Sequence, residues 1–218
     1  MATSNDKGSH TRDQHPDWKA HWEHVYAEKP ETEISWYQSH PEHSLAMITA
    51  TVAGLDADII DVGGGASTLA DHLLEAGYGN ITVLDIAHGG IKRARARMGI
   101  QARQVTWIEQ DVTTFRPEQQ YDIWHDRAVF HFLVSDEDRA RYLEAMYKAL
   151  KPNGQAIIAT FAENGPDECS GLDVVRYSAD SLNAAVGESL HLVETRTEEH
   201  RTPVGGIQQF IYCRFSQQ

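Results

Sequence analysis

Cysteine is scarce in this chain, since only Cys169 and Cys213 occur among its 218 residues. Two cysteines are too few for a disulfide scaffold, and such usage is typical of a protein in a reducing cytosol. Basic residues are also in the minority, with 19 Lys and Arg against 32 Asp and Glu and a net charge of −13. This balance disfavours a DNA- or RNA-binding protein, which needs a basic face.

Long hydrophobic runs are missing as well. No apolar stretch approaches the roughly 18 residues that a membrane span requires, so we expect no membrane insertion. The segment MATSNDKGSHTRDQHPD at the N-terminus has no apolar core of a signal peptide. We therefore expect a soluble, cytoplasmic protein, with residues 1–16 as a mobile polar tail and residues 17–218 as a single domain.

Helical and extended patterns alternate along the rest of the chain. Two amphipathic helices are predicted over 17–29 and 42–53, the second with Leu45, Ile48, Thr49 and Val52 inward. Short apolar strands are predicted at 58–62, 81–86, 104–112, 121–126 and 155–161, with helices between them that include one at 136–154. A hairpin is predicted at about 190–215. The pattern predicts an α/β fold: a doubly wound, mostly parallel seven-stranded sheet with helices on both faces and a C-terminal antiparallel hairpin.

A glycine loop, DVGGGAS, follows the first predicted strand and precedes a helix. Gly63, Gly64 and Gly65 carry no side chains, so backbone amides can approach a ligand closely. Asp85 ends the second strand, where a carboxylate can accept both hydroxyls of a ribose, and Asp111 ends the third, where it can meet an adenine amino group. Because the carboxyl ends of parallel strands share one edge of the sheet, we expect these residues to converge.

The loop departs from the dinucleotide fingerprint. Thr68 stands where that fingerprint needs glycine or alanine, and the charge of Asp61 would oppose a pyrophosphate. A nucleoside ligand with a cationic amino group and a sulfonium, such as S-adenosylmethionine, suits the loop better.

Five stretches in order resemble the successive motifs of class I, seven-stranded S-adenosylmethionine-dependent methyltransferases: IIDVGGGAST, ITVLDI, EQDVT, YDIWHDRAVFHFL and ALKPNGQAIIATF. The resemblance covers about residues 58–161 and implies S-adenosylmethionine as the cofactor. The candidate cofactor contacts in this half of the site are Asp61, Gly63, Gly64, Gly65, Asp85, Ile86, Asp111, Val112 and His125.

The N-terminal half is similar to a subgroup that contains protein-lysine methyltransferases. In that subgroup a Trp-Tyr pair ahead of the core closes over the cofactor, which implies the same for Trp36 and Tyr37 within a helical lid of about residues 17–53. The subgroup's Asp-Lys-Gly motif reads Asp126-Arg127-Ala128 here, so only the acid matches.

Three polar residues at the end of the fourth strand are expected beside the reactive methyl group. His125 or Asp126 could act as a general base, and Arg127 could instead anchor an anionic substrate. His131 is expected to be a packing histidine. The loop 161–178 offers the candidate substrate contacts Cys169, Arg176 and Tyr177. We predict no metal site, since the paired histidines lack convergent further ligands.

The sequence thus favours an S-adenosylmethionine-dependent methyltransferase that acts on a small molecule through a nitrogen, sulfur or oxygen nucleophile. A protein-lysine acceptor is the main alternative. A nicotinamide-dependent oxidoreductase and a non-catalytic cofactor-binding module are the others. The acceptor and the oligomeric state are left open by the sequence.

Overall fold

The computed structural model describes residues 17–217, and the predicted tail 1–16 lies outside the described residues. The α-helices are α1 (Trp18–Glu28), α2 (Glu42–Thr49), α3 (Leu69–Glu75), α4 (His88–Met98), α5 (Asp136–Ala149) and α6 (Ala179–Val186). The strands are β1 (Asp58–Val62), β2 (Asn80–Asp85), β3 (Val105–Glu109), β4 (Tyr121–Arg127), β5 (Leu150–Phe161), β6 (Glu168–Cys169), β7 (Leu172–Asp173), β8 (Leu190–Arg201) and β9 (Ile207–Gln217).

Seven strands form the central sheet, in the order β3-β2-β1-β4-β5-β9-β8. Strands β1 to β5 are parallel, and β9 lies antiparallel between β5 and β8. The predicted mostly parallel sheet with a closing hairpin is therefore confirmed. The strand order reverses between β1 and β4, and ligands of such sheets bind at the carboxyl ends of the strands beside this point.

Both faces of the sheet are covered, because successive residues of each strand point to opposite sides. Ile59 and Ile123 lie in one core with α2, α3 and Met98 of α4. Ile60 and Trp124 lie in the other with α5 and α6. This alternation also decides which polar residues at the strand ends face the same way.

The second helix is shorter than predicted, and its buried face differs in part. It ends at Thr49, where the Thr51 amide and hydroxyl both donate to the Ile48 carbonyl and tighten the last turn. Thr49 and Val52, which were predicted to face inward, are exposed, whereas Ser44 is buried. Ile48 is buried and Leu45 packs against the core, as predicted, whereas Val52 lies beyond the end of the helix. The buried Ser44 could not be found from apolar periodicity.

The helix predicted at 136–154 ends at Ala149 in the structure. Leu150 is already extended and pairs with Tyr121 of β4, so β5 begins there. Pro152 disfavours helical backbone at the residue before it. The Pro-Asn-Gly segment therefore lies within β5, at a register shift, with Asn153 at a φ of 65°.

Candidate functional site

The glycine loop leads from β1 to α3 through a space that admits no side chain. Gly63 has a φ of 68°, and a Cβ on it would overlap Val129 Cγ2. Gly65 has a φ of 27°, and its Cβ would lie 2.5 Å from Asp85 Oδ2 and 2.6 Å from the Tyr26 hydroxyl. Glycine is required at both positions for backbone conformation as well as space.

Asp61 is buried immediately before this loop with one of its oxygens unpaired. Its Oδ1 lies 2.7 Å from His125 Nδ1, and His125 Nε2 lies 2.9 Å from Ser44 Oγ. Its Oδ2 has no hydrogen-bond partner in the described structure, and a Cβ on Gly64 would overlap that atom. An unpaired buried carboxylate oxygen is costly, so this atom is poised for a donor or cation from a ligand.

Asp85 ends β2 and is also buried. Its Oδ1 accepts from the Ala87 amide at 2.7 Å. Burial raises the pKa of Asp85 to about 7; backbone amides of Ala87 and Gly65 lower it in part, and the charges of Asp61 and Glu23 raise it further. Hydrogen-bond donors from a bound ligand would stabilise the charged form of this buried carboxylate.

Asp111 follows β3 and holds the next turn. Its Oδ1 accepts from both the amide and the hydroxyl of Thr113, each at 2.8 Å. Asp111, Val112, Asp85 and Ile86 all line one cavity, called here the first cavity. The acidic strand ends thus meet at one edge of the sheet, as the sequence pattern predicts for parallel strands.

A second cavity adjoins the first along the glycine loop. Asp61, Gly64, His125 and Tyr37 line it. The residues that line both cavities are Trp36, Val62, Gly63 and Arg127. The two cavities are therefore neighbours and are together called the cleft, and Gly63 and Arg127 belong to the stretch of wall that they share.

Aromatic side chains from the N-terminal segment cover the first cavity. Trp18, Trp22 and Tyr26 of α1 line it together with Trp36 and Phe132. The Trp22 ring meets the Trp36 ring edge-on at 5.6 Å and the Phe132 ring at 5.0 Å. Apart from Trp36, sequence reasoning missed these residues as site residues, because a helical stripe of aromatics is typical of ordinary packing.

The three polar residues at the end of β4 do not act together. His125 and Arg127 face the cleft, whereas Asp126 points to the opposite face of the sheet and lines neither cavity. Asp126 accepts from the Val129 and Phe130 amides at 2.9 and 3.0 Å and from the Tyr142 hydroxyl at 2.6 Å. Burial raises its pKa to about 6. Neighbouring residues of a strand alternate between faces, so Asp126 holds the turn after β4 and is not placed to act as a base.

Arg127 is fixed by the C-terminal hairpin and the N-terminal segment. Its Nε donates to the Tyr212 hydroxyl at 2.8 Å, and its Nη1 donates to the Trp36 carbonyl at 3.1 Å. Its Nη2 lies 3.5 Å from Glu198 Oε2 but makes no hydrogen bond. The guanidinium lies over the Phe210 ring at 4.3 Å. The charge is therefore held rigidly in the wall that the two cavities share.

The loop 161–178 brings one of its three candidates to the cleft. Cys169 lines the first cavity, and burial raises the pKa of its thiol to about 11. Arg176 is exposed and donates to the Gly165 carbonyl at 3.2 Å. Tyr177 is buried against Phe130 in the core on the far face of the sheet. The predicted substrate contact of Arg176 and Tyr177 is therefore not supported by their positions.

His131 is a buried side chain outside both cavities. Its Nδ1 accepts from the Phe161 amide at 3.2 Å, and its ring packs against Phe161 and Phe132. Burial lowers the pKa of His131 to about 3. The ring is neutral and structural, in line with its prediction as a packing histidine.

Known proteins share this fold and parts of this sequence. Residues 59–154 match the model of a family described as a methyltransferase domain. The eEF1A lysine and N-terminal methyltransferase of Mus musculus is 21% identical over 150 residues, which cover 66% of this chain and 21% of that protein. Thiocyanate methyltransferase 1 of Arabidopsis thaliana is 32% identical over 122 residues, covering 52% of this chain and 53% of that protein. The chain thus spans only a fifth to about half of these relatives.

Solved structures share the overall fold of this chain. The N-methyltransferase NodS from Bradyrhizobium japonicum WM9, in complex with S-adenosylhomocysteine, matches with a TM-score of 0.59 at 16% identity, over 83% of this chain and 89% of that one. The fold is therefore shared with methyltransferases of known structure, as the motifs predict. The part of the chain that matches the methyltransferase-domain model, residues 59–154, spans β1 to β4, α5 and the start of β5.

Among residues 17–217, no cluster of three or more His, Cys, Asp or Glu side chains is arranged to hold a metal ion. Within the same range, no helix combines the length and apolar character that a membrane crossing demands.

Proposed function

We propose that the protein transfers a methyl group from S-adenosylmethionine to a small-molecule acceptor. The observation that carries the proposal is the unpaired Oδ2 of Asp61 at the glycine loop, on the sheet edge that also bears Asp85 and Asp111. An anion at this point suits a ligand with an ammonium group and opposes the pyrophosphate of a nicotinamide dinucleotide.

The cleft fits this cofactor in two parts. Asp85 and Asp111 of the first cavity would hold the ribose hydroxyls and the adenine edge, with Ile86 and Val112 against the base. Asp61 of the second cavity would take the ammonium group. The sulfonium of a ligand that spans both cavities then falls near Gly63 and Arg127, which line both.

The chemistry at that position is an in-line displacement. The bound cofactor supplies an activated methyl group, and the protein's part is to align the acceptor and exclude water. Orientation of this kind is worth up to roughly 7–11 kcal/mol. The aromatic residues Trp22, Trp36 and Phe132 would supply the apolar enclosure, and α1 with the segment to Trp36 would act as the lid.

A small acceptor is favoured because the rings of Trp18, Trp22, Trp36 and Phe132 line the first cavity and suit a compact apolar molecule. The relative named for thiocyanate supports the same choice. A protein-lysine acceptor is the second candidate, and the Trp36-Tyr37 pair with the relative named for eEF1A lysine favours it. The replacement of the subgroup's Lys-Gly by Arg127-Ala128 weighs against it.

Titration calorimetry with S-adenosylhomocysteine tests the cofactor, and the absence of binding at millimolar ligand would reject the proposal. Incubation of the protein with labelled S-adenosylmethionine and cell extract then distinguishes a small-molecule acceptor from a protein acceptor. Label in the small-molecule fraction supports the primary proposal, and label on protein supports the second. Binding without any transfer of label would favour the non-catalytic module.

A further inference from the structure

Arg127 presents a fixed positive charge where the acceptor meets the cofactor. The side chain is 9% exposed, and Tyr212 and Trp36 hold two of its nitrogens while the third makes no hydrogen bond. Its counter-charge, Glu198, is 3.5 Å away and is itself engaged by the Tyr212 hydroxyl and by Gln38. A buried guanidinium with an unpaired donor is costly, which a bound anion would relieve.

The side chains that could remove a proton from an acceptor are committed elsewhere. Both ring nitrogens of His125 are occupied, by Asp61 and by Ser44. Asp126 faces the opposite side of the sheet and receives three donors. Cys169, at the same end of the first cavity as Arg127, holds its proton through the neutral range because burial raises its thiol pKa to about 11.

We infer that the methyl acceptor is a small, flat molecule whose nucleophilic atom is already anionic when it binds, and that Arg127 holds that charge. This inference rests on the proposed function. An aryl thiolate or an acidic phenolate has both of these properties. Its flat ring suits the cavity wall beside Arg127, which is formed by the rings of Trp22, Trp36 and Phe132. Such rings bury an apolar body well.

The step balances without a base. A lone pair of the acceptor anion forms a bond to the methyl carbon, the bond from that carbon to the sulfonium sulfur breaks, and its electrons remain on sulfur. An anion and a sulfonium thereby become two neutral centres at the reacting atoms, and no proton is released. A neutral N–H acceptor would release a proton, for which general base help is worth roughly 10²- to 10⁴-fold in rate.

The titratable groups that surround Arg127 would not produce a pH dependence that follows the pKa of the acceptor. Burial raises the pKa of Tyr212 on β9 and lowers that of His131 to about 3. Burial also lowers the pKa of His200 on β8, so that ring stays neutral above pH 6.5. Glu198 on β8 and Cys169 on β6 complete the surroundings.

The test uses the pH dependence of wild-type kcat/KM with ring-substituted thiophenols and phenols of graded acidity, and with anilines of equal size. We expect kcat/KM to rise about tenfold per pH unit up to each acceptor's own pKa and then to level off, so that the inflection moves with the acceptor. The thiol and phenol arms identify which anion is preferred. Asp85 lines the same cavity with its pKa raised to about 7, so one inflection common to all acceptors is expected from it. The inference is overturned if no further inflection moves with the acceptor's pKa, or if anilines are methylated as fast as the anions.

A binding measurement adds a readout that does not depend on turnover. Titration of 4-nitrothiophenolate into protein saturated with S-adenosylhomocysteine should show at least about tenfold weaker binding for Arg127→Met, a smaller loss for Arg127→Lys, and no change for the exposed Arg176→Met. Equal binding by all four proteins would contradict the inference. Failure of S-adenosylhomocysteine itself to bind would instead reject the proposed function, so the two failures are distinct.

Discussion

Gly65 is the glycine of the loop at which an added methyl group would press directly on Asp85. In Gly65→Ala the new Cβ would meet Asp85 Oδ2 and the Tyr26 hydroxyl at about 2.5 and 2.6 Å, with the backbone at a φ of 27°. We expect S-adenosylhomocysteine to bind about 10- to 100-fold more weakly, because Asp85 must move. Titration calorimetry measures the change.

Gly79→Ala is the matched control for that substitution. A Cβ on Gly79 would meet nothing within 4 Å. The control should bind as the wild type does, with a comparable midpoint of urea unfolding. Equal affinity of Gly65→Ala and Gly79→Ala would contradict the position assigned to the ribose.

Asp61→Asn tests the unpaired carboxylate oxygen. The amide oxygen can still pair with His125, but the charge that should face the ligand's ammonium group is lost. Hydrogen bonds to charged groups contribute about 1.5–3 kcal/mol, so S-adenosylhomocysteine should bind roughly 10- to 150-fold more weakly. Adenosine, which has no ammonium tail, should bind equally to both proteins. An equal loss for adenosine would mean that the substitution damages the whole cleft.

At the scale of single residues, sequence reasoning succeeds where one strand end determines the position. Asp61, Asp85 and Asp111 lie at or just beyond the carboxyl ends of three parallel strands, so their convergence could be predicted. Asp126 could not be assigned correctly by proximity to His125, because adjacent strand residues face opposite sides. The contribution of Ser44 depends on a partner 81 positions away, which no local pattern reveals.

At the scale of elements, the Glu23 carboxylate of α1 caps α4, beside a hydrogen bond from Arg93 of α4 to the Tyr26 carbonyl. Glu23 Oε1 and Oε2 accept from the amides of His88 and Gly89, at 2.7 and 2.9 Å, in the first turn of α4. This contact positions the helix that carries Trp22 and Tyr26 over the first cavity. The sequence predicts both helices but not their connection, because the cap comes from a residue 65 positions away.

Glu23→Ala should loosen this lid. Loss of a helix cap costs about 0.5–2 kcal/mol, so we expect faster amide hydrogen exchange across residues 18–28 and up to about tenfold weaker binding of S-adenosylhomocysteine. Glu28→Ala, at an exposed position of the same helix, serves as the control. Identical exchange in the two variants would show that Glu23 does not restrain the lid.

At the scale of the whole molecule, the C-terminal hairpin reaches the wall that the two cavities share. Arg127 ends β4 and donates to Tyr212 of β9, two strands away. Glu198 of β8, one strand farther, places its carboxylate 3.5 Å from the same guanidinium. The hairpin and the sheet order could be predicted from strand patterns and motif order. That the hairpin supports the site could not, since the contact joins residues 85 positions apart.

The stability of the whole protein toward acid should depend on His131. Burial lowers the pKa of His131 from 6.5 to about 3. Below about pH 6.5 the unfolded chain therefore binds a proton that the native state does not bind. Its contribution is complete above pH 6.5 and is lost as the pH falls toward 3, at about 1.4 kcal/mol per pH unit. The raised pKa values of Asp85 and Asp126 act in the opposite direction between about pH 4 and 7, so the wild-type curve alone does not isolate His131.

Comparison with His131→Gln isolates the contribution of His131 to the pH dependence of stability, because Asp85 and Asp126 remain in both proteins. The variant should be less stable at pH 7.5, since it disturbs packing in the core, but its deficit should shrink by about 3 kcal/mol between pH 6.5 and 4.5. Urea unfolding at four pH values measures this, and His191→Gln at an exposed position of β8 is the control. A deficit that stays constant with pH would show that the buried ring accepts a proton in the native state.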